Sequence, residues 1–253
     1  MISAHQYSMV IRPKGRTAAD EYVHKGRTYI EGRENSHYVI ELVNHTHTRA
    51  LAVVSVDGLS VTDGKPASFN SRGFVLNSKE TVQIPGWSLD DQTAAEFVFA
   101  KRKDSYGNQT SSGGNEGVIG VAWFVEKPVL NNHAILNEAP VWRTHDLSQS
   151  TFSASASPRV KGVIGSVAQN SVQPSMGTAF GESLNFATTS TGFEKLSDQP
   201  SVIQLIYYDS AVNLQRMGIK LKTRNSNADG PQAFPGSTPE YCVPPPTWAN
   251  KRW

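Results

Sequence analysis

One cysteine in 253 residues, Cys242, leaves this chain no internal disulfide. A thiol without a partner fits synthesis in a reducing compartment. Charge is sparse too: 18% of residues are Asp, Glu, Lys or Arg, and the formal balance is +2. That excess is too small to mark a nucleic-acid groove or a polybasic membrane surface. The opening residues, MISAHQYSMVIRPKGR, lack the basic segment and apolar core of a signal peptide. No apolar run approaches the ~18 residues of a membrane span. The expectation is a soluble protein made in the cytoplasm, with neither nucleic acid nor membrane among its partners.

Long stretches of helical period are also missing. Ser, Thr, Asn, Gly and Pro are abundant instead, which favours strands and turns over surface helices. A compact chain of this length buries roughly 75% of its unfolded surface, so it holds a core without a disulfide or a metal.

The organising stretch is Leu51–Trp87. Apolar runs at Leu51–Val56, Gly73–Leu76 and Thr81–Ile84 alternate with Asp57-Gly58, Asp63-Gly64 and Pro85-Gly86. Asp-Gly pairs supply the positive φ that tight reversals need, so the stretch reads as strand, turn, strand, turn, strand. Tyr7–Ile11, the alternating Tyr38–Val43, Ala94–Ala100 and the strongly apolar Gly117–Glu126 extend the pattern. Thr17–Tyr22 reads as a single helical turn, and Lys101–Glu116 as a polar loop.

Met1–Lys127 thus holds about seven or eight strands, spaced by about 8–15 residues and punctuated by Gly and Pro. The predicted fold is mainly β: an antiparallel β-sandwich of jelly-roll or Ig-like type over 1–127. A linker follows over 128–161, with the Ser-rich SQSTFSASASP inside it. Residues 162–222 are expected to form a small β-rich second region, either packed onto the first sandwich or standing as a small domain. It contains a glycine-bearing turn leading into an extended segment over Ser175–Phe186, a strand at Val202–Tyr208 and a short helix at Asp209–Met217. In that helix Asp209 or Ser210 is the cap, Val212 and Leu214 face inward, and Gly218 is the stop. Residues 223–253 form an extended, mostly irregular tail. Its proline run at Cys242–Thr247 is polyproline-like or irregular, yet the tail keeps Phe234, Tyr241, Trp248 and Trp253. Those four rings are the candidate interface residues, because each aromatic buries ~150–250 Å² once covered.

Reactive chemistry is thinly represented. His45 and His47 in NHTHT share a strand face and are the nearest approach to a metal pair, but no CxxC or HExxH accompanies them. No GxSxG nucleophile elbow occurs. Cys242 sits beside prolines, away from any helix N-terminus. Gly177–Glu182 has a glycine spacing faintly like a phosphate loop without its GK[ST], so packing or a turn accounts for it better. Asp57 and Asp63 are expected to hydrogen-bond their own turn backbones. No catalytic residue, metal ligand or cofactor is therefore assigned.

The stretches VDGLSVTDGKPAS (56–68), IPGW (84–87) and GVIGV (117–121) resemble a family of uncharacterised proteins encoded by bacteria, tailed phages and prophages. GTAFGE (177–182), YYD (207–209) and Gly218-Ile219 resemble that family's second half. The resemblance covers most of residues 50–220. It implies a structural role in a virus particle and carries over no active-site residue.

The function expected on these grounds is a non-enzymatic virion structural protein: a decoration, minor capsid or vertex component located in the virion. Its partners would be copies of itself, a major capsid protein or other virion proteins, in a homo-oligomer assembled through sandwich surfaces and the C-terminal arm. The alternative is a carbohydrate- or receptor-binding sandwich on a tail or cell surface, with Trp87, Asp90, Asp91 and Asn108 as the best available group. A metal-dependent enzyme using His45 and His47 is the third reading.

Overall fold

Alternation decides the architecture. In Tyr7–Pro13 (β1) exposure switches at every residue, with Tyr7, Met9 and Ile11 buried, and His37–Asn44 (β4) buries Tyr38, Ile40 and Leu42 in the same way. In this computed structural model, which describes residues 6–110, 113–128 and 173–222, such strands form two sheets around one core.

The remaining strands are Glu21–His24 (β2), Arg27–Glu31 (β3), Ala50–Val56 (β5), Leu59–Ser60 (β6), Phe74–Leu76 (β7), Thr81–Ile84 (β8), Gly86–Ser88 (β9), Thr93–Lys101 (β10), Val118–Val125 (β11), Met176–Asn185 (β12) and Val202–Asp209 (β13). The first sheet runs β1-β4-β10-β12, with β8 on β4 and β9 on β10. The second runs β2-β3-β13-β11-β5-β6, with β7 also on β5. All pairings are antiparallel except β3 with β13, so the second sheet is mixed rather than purely antiparallel.

The sheets meet through their aromatic inner faces. Tyr7 of the first stacks on Trp123 of the second, with ring centroids 4.4 Å apart. Tyr38 stacks on Phe99 at 4.3 Å, and Phe99 packs on Tyr208 at 5.1 Å across the core. Both tryptophans of the core, Trp87 and Trp123, are buried. Where β9 pairs with β10 the backbones come so close that a Cβ on Gly86 would sit 1.8 Å from the Ala95 carbonyl oxygen, so only glycine fits there.

Three expectations are corrected. The division after residue 127 separates strands that pair: β12 lies along β10 from Thr93↔Asn185 to Lys101↔Met176, and β13 sits between β3 and β11. The described residues up to Leu221 form one compact unit. The physical reason is that β10 and β11 each leave a hydrogen-bonding edge open, and the later strands fill both. Second, Thr17–Tyr22 is no helical turn; the chain enters β2 at Glu21. Third, the extended segment expected within Ser175–Phe186 is present, but no turn precedes it, since Met176–Asn185 is a single strand.

Two short helices lie outside the sheets. Tyr106–Gln109 (α1), preceded by a 3-10 turn at Arg102–Asp104, occupies part of the expected polar loop. Ala211–Arg216 (α2) is capped by the Ser210 hydroxyl, which accepts from Asn213 N, and it ends before Gly218 at φ +87°. Leu214 is buried as expected, whereas Val212 is 57% exposed. The linker over 128–161 lies almost wholly outside the described residues, as do the tail and its four aromatics Phe234, Tyr241, Trp248 and Trp253. No described helix is long and apolar enough to cross a membrane.

Candidate functional site

Asp57 occupies the tight turn between β5 and β6, with φ +53°, and Gly58 follows at φ +77°. This left-handed pair turns the carboxylate inward, away from its own turn. It is 1% exposed and accepts from Tyr208 Oη at 2.6 Å, Thr178 N at 2.7 Å and Gly117 N at 2.9 Å. A hydroxyl chain continues the network, with Thr178 Oγ1 2.7 Å from Tyr208 Oη and 2.8 Å from Tyr38 Oη. Thr178 belongs to the first sheet and Tyr208 to the second, so one carboxylate fastens the two together.

The electrostatics follow from burial. Desolvation disfavours the ionised form and pushes the Asp57 carboxyl from its ordinary 3.8 up to about 6. The three donors oppose that rise, and the Glu116 carboxylate adds a little to it. Burial together with the Asp57 charge raises the Tyr208 and Tyr38 phenols well above their usual range. Glu116, 5% exposed, accepts from Gly114 N at 3.0 Å and lies 3.2 Å from the Arg102 guanidinium. A Cβ on Gly177 would stand 2.5 Å from Ser105 Cβ, so the glycine of the phosphate-loop-like run serves close packing.

A second carboxylate, Asp209, is also fully engaged. It accepts from Ser175 Oγ at 2.5 Å, Ser210 N at 2.7 Å and Asn213 Nδ2 at 2.9 Å, which ties the start of β12 to the start of α2.

Four of the six stretches that carried the family resemblance therefore converge. Asp57 comes from VDGL, Gly117 from GVIG, Thr178 from GTAFGE and Tyr208 from YYD. Sequence reasoning placed the Asp57 carboxylate on its own turn backbone, which is what Asp63 does through Lys65 N at 3.2 Å. The signal that distinguishes them lies in the neighbours: Asp57 is preceded by five apolar residues out of six, Asp63 by the polar Thr62.

The histidine pair does not form a site. β4 ends at Asn44, so His45 and His47 lie in the following turn, both exposed. His45 Nε2 is 2.9 Å from Ser8 Oγ, and Asn44 holds the turn by donating to the Thr48, Leu76 and Asn77 carbonyls. Among the described residues no group of three or more His, Cys, Asp or Glu stands together as metal ligands.

The Trp87 group is not presented as a binding platform either. Trp87 is 2% exposed and stacks on Phe180 at 5.6 Å, and Asn108 Nδ2 donates to the Arg102 carbonyl. Asp90 accepts from Gln92 N, Thr93 N and Thr93 Oγ1, which holds its carboxyl below the usual range. Asp90 and Asp91 do, however, lie on a cleft of about 630 Å³ at one flank of the sandwich. Leu51 and Val75 from the second sheet, Val82 from the first, and Phe74, Phe186 and Phe193 line its apolar part.

An outward row on β13 completes the surface features. Ile203 and Leu205 are 53% and 47% exposed on one face, beside Ala122 and Gly120 of β11.

No family model, curated protein or solved structure matches this chain.

Proposed function

We propose that this chain is a non-enzymatic structural component that assembles with copies of itself or with other subunits. The family resemblance of residues 50–220 makes a virus particle the setting, with a jelly-roll or Ig-like sandwich as the body and residues 223–253 as the arm. The observation that carries the reading is the apolar row Ile203 and Leu205 on the outer face of β13. Two branched side chains, about half exposed on one strand face, gain from being covered by another surface. Their strand neighbours Ala122 and Gly120 are too small to shield them.

Mass in solution tests this for the full chain, for the double variant Ile203→Asp/Leu205→Asp, and for a chain ending at Lys222. Self-association that weakens by about tenfold or more in the double variant supports the proposal. A full chain that stays monomeric at high concentration, with both altered chains indistinguishable from it, removes the assembly role.

A further inference from the structure

The flank cleft carries an inference independent of assembly. Residues 186–196 cross from one sheet to the other above it. Phe186 N and Thr188 N donate to the Gln92 and Asp91 carbonyls, while Leu196 N donates to the Val125 carbonyl. The Phe74 and Phe186 rings, 6.2 Å apart and tilted, form part of its wall and are half-buried. Thr62, Ser71 and the run Thr188–Thr191 contribute hydroxyls around the rim.

Most of the charged groups on this cleft are already occupied. Asp90 is held by its own turn, and Glu80 Oε2 accepts from Asn77 N. Lys195 Nζ donates to the Phe69 carbonyl at 2.5 Å and stands 4.1 Å over the Phe124 ring. Among the described residues the Arg72 guanidinium and the Asp91 carboxylate make no side-chain hydrogen bond or ion pair. Glu80, Asp90 and Asp91 face Arg72 and Lys195 across the cleft, so both signs stand side by side, with one donor fork and one acceptor pair unspent.

We infer that this cleft binds a neutral saccharide. Sugar hydroxyls both accept and donate, so they satisfy Arg72 and Asp91 together without a counter-ion. The apolar C–H face of a pyranose matches the phenylalanine wall, and the rim hydroxyls fix orientation. An anionic ligand would gain Arg72 but meet Asp91 and Asp90, and a cation would gain those acids but meet Arg72 and Lys195. This proposal does not depend on the assembly role, and its failure leaves that role standing.

The test is an array of immobilised neutral and acidic oligosaccharides, from trisaccharides to hexasaccharides of glucose, galactose, mannose and N-acetylglucosamine, probed with the full chain. Arg72→Ala and Asp91→Asn serve as loss variants, because both side chains are exposed and leave the fold intact. Thr189→Trp serves as a cleft-filling control. The expected result is binding to at least one neutral series, weakened about tenfold or more in each loss variant and abolished by Thr189→Trp. Binding to acidic glycans alone, binding unchanged in all three variants, or no glycan binding would each overturn the inference. So would capture of an extended peptide in the cleft in place of any sugar.

Discussion

Two carboxylates of the same kind, Asp57 and Asp91, stand at opposite extremes of environment. Asp57 is sealed between the sheets with three donors aimed at it, whereas Asp91 lies exposed on the flank cleft with its side chain uncommitted. The comparison teaches that burial, not residue type, decides what an acid does in this fold. The sealed end spends its acid on cohesion, and the open flank keeps its acid available.

The strongest way to break that contrast is Asp57→Ala. Two backbone N–H groups and the Tyr208 hydroxyl would lose their shared acceptor inside the core. The expected loss is about 3–5 kcal/mol near pH 4, where the carboxyl is neutral, and about 3 kcal/mol less at pH 7, read by urea unfolding. A loss no larger than that of an exposed acid would mean water replaces the carboxylate.

Titration sharpens the same point. Because the native state holds the Asp57 proton up to about pH 6 while the unfolded chain releases it near 3.8, the folded form binds more protons in that window. This group's contribution to stability is therefore full below about pH 4 and declines through about pH 6, by about 3 kcal/mol. Glu41 works in the opposite sense. Its ion pair with Arg12 holds its carboxyl below the usual range, so its contribution is lost on acidification. Unfolding free energies of the native chain and Asp57→Ala from pH 4 to pH 7 isolate the Asp57 part, and parallel curves would refute it.

Tyr208→Phe is expected to cost about 1–3 kcal/mol. It should also raise the Asp57 carboxyl further, since the lost hydroxyl stabilised the ionised form. A carboxyl-carbon NMR titration of Asp57 checks the direction. At the bottom of the scale, Arg72→Ala and Asp91→Asn on the open flank should each change stability by less than about 0.5 kcal/mol. A larger effect would show that the flank is tied down after all.

Most strands of the first half were readable because period-two burial leaves a local trace. Thr81–Ile84 matches β8, and Tyr38–Val43 misses β4 by one residue at each end. Short strands such as β2 and β9 left none, since three or four residues cannot display a period, and the equally short β8 was found from the turn residues beside it. The partners of β12 and β13 were not legible for another reason. Pairing across the sheets is set by which edges remain open in space, and nothing within GTAFGE or VIQLIYY states that. The site suffered likewise: VDGL, GVIG, GTAFGE and YYD were each visible, but their meeting at one carboxylate is a property of the topology. Trp87 misled because a tryptophan after Pro-Gly looks like a loop ring, while the close approach at Gly86 carries it into the core.

The parallel pairing of β3 with β13 has a consequence during synthesis. Tyr29 must wait for Tyr207, and β11 keeps a bare hydrogen-bonding edge until Val202–Asp209 leaves the ribosome. Such distant registry makes for slow, late closure, and a nascent chain stalled before residue 202 displays an apolar ribbon ready to join another. Hosts expressing this protein should therefore accumulate aggregates from chains truncated between residues 128 and 202, while the finished molecule stays dispersed or assembles in order.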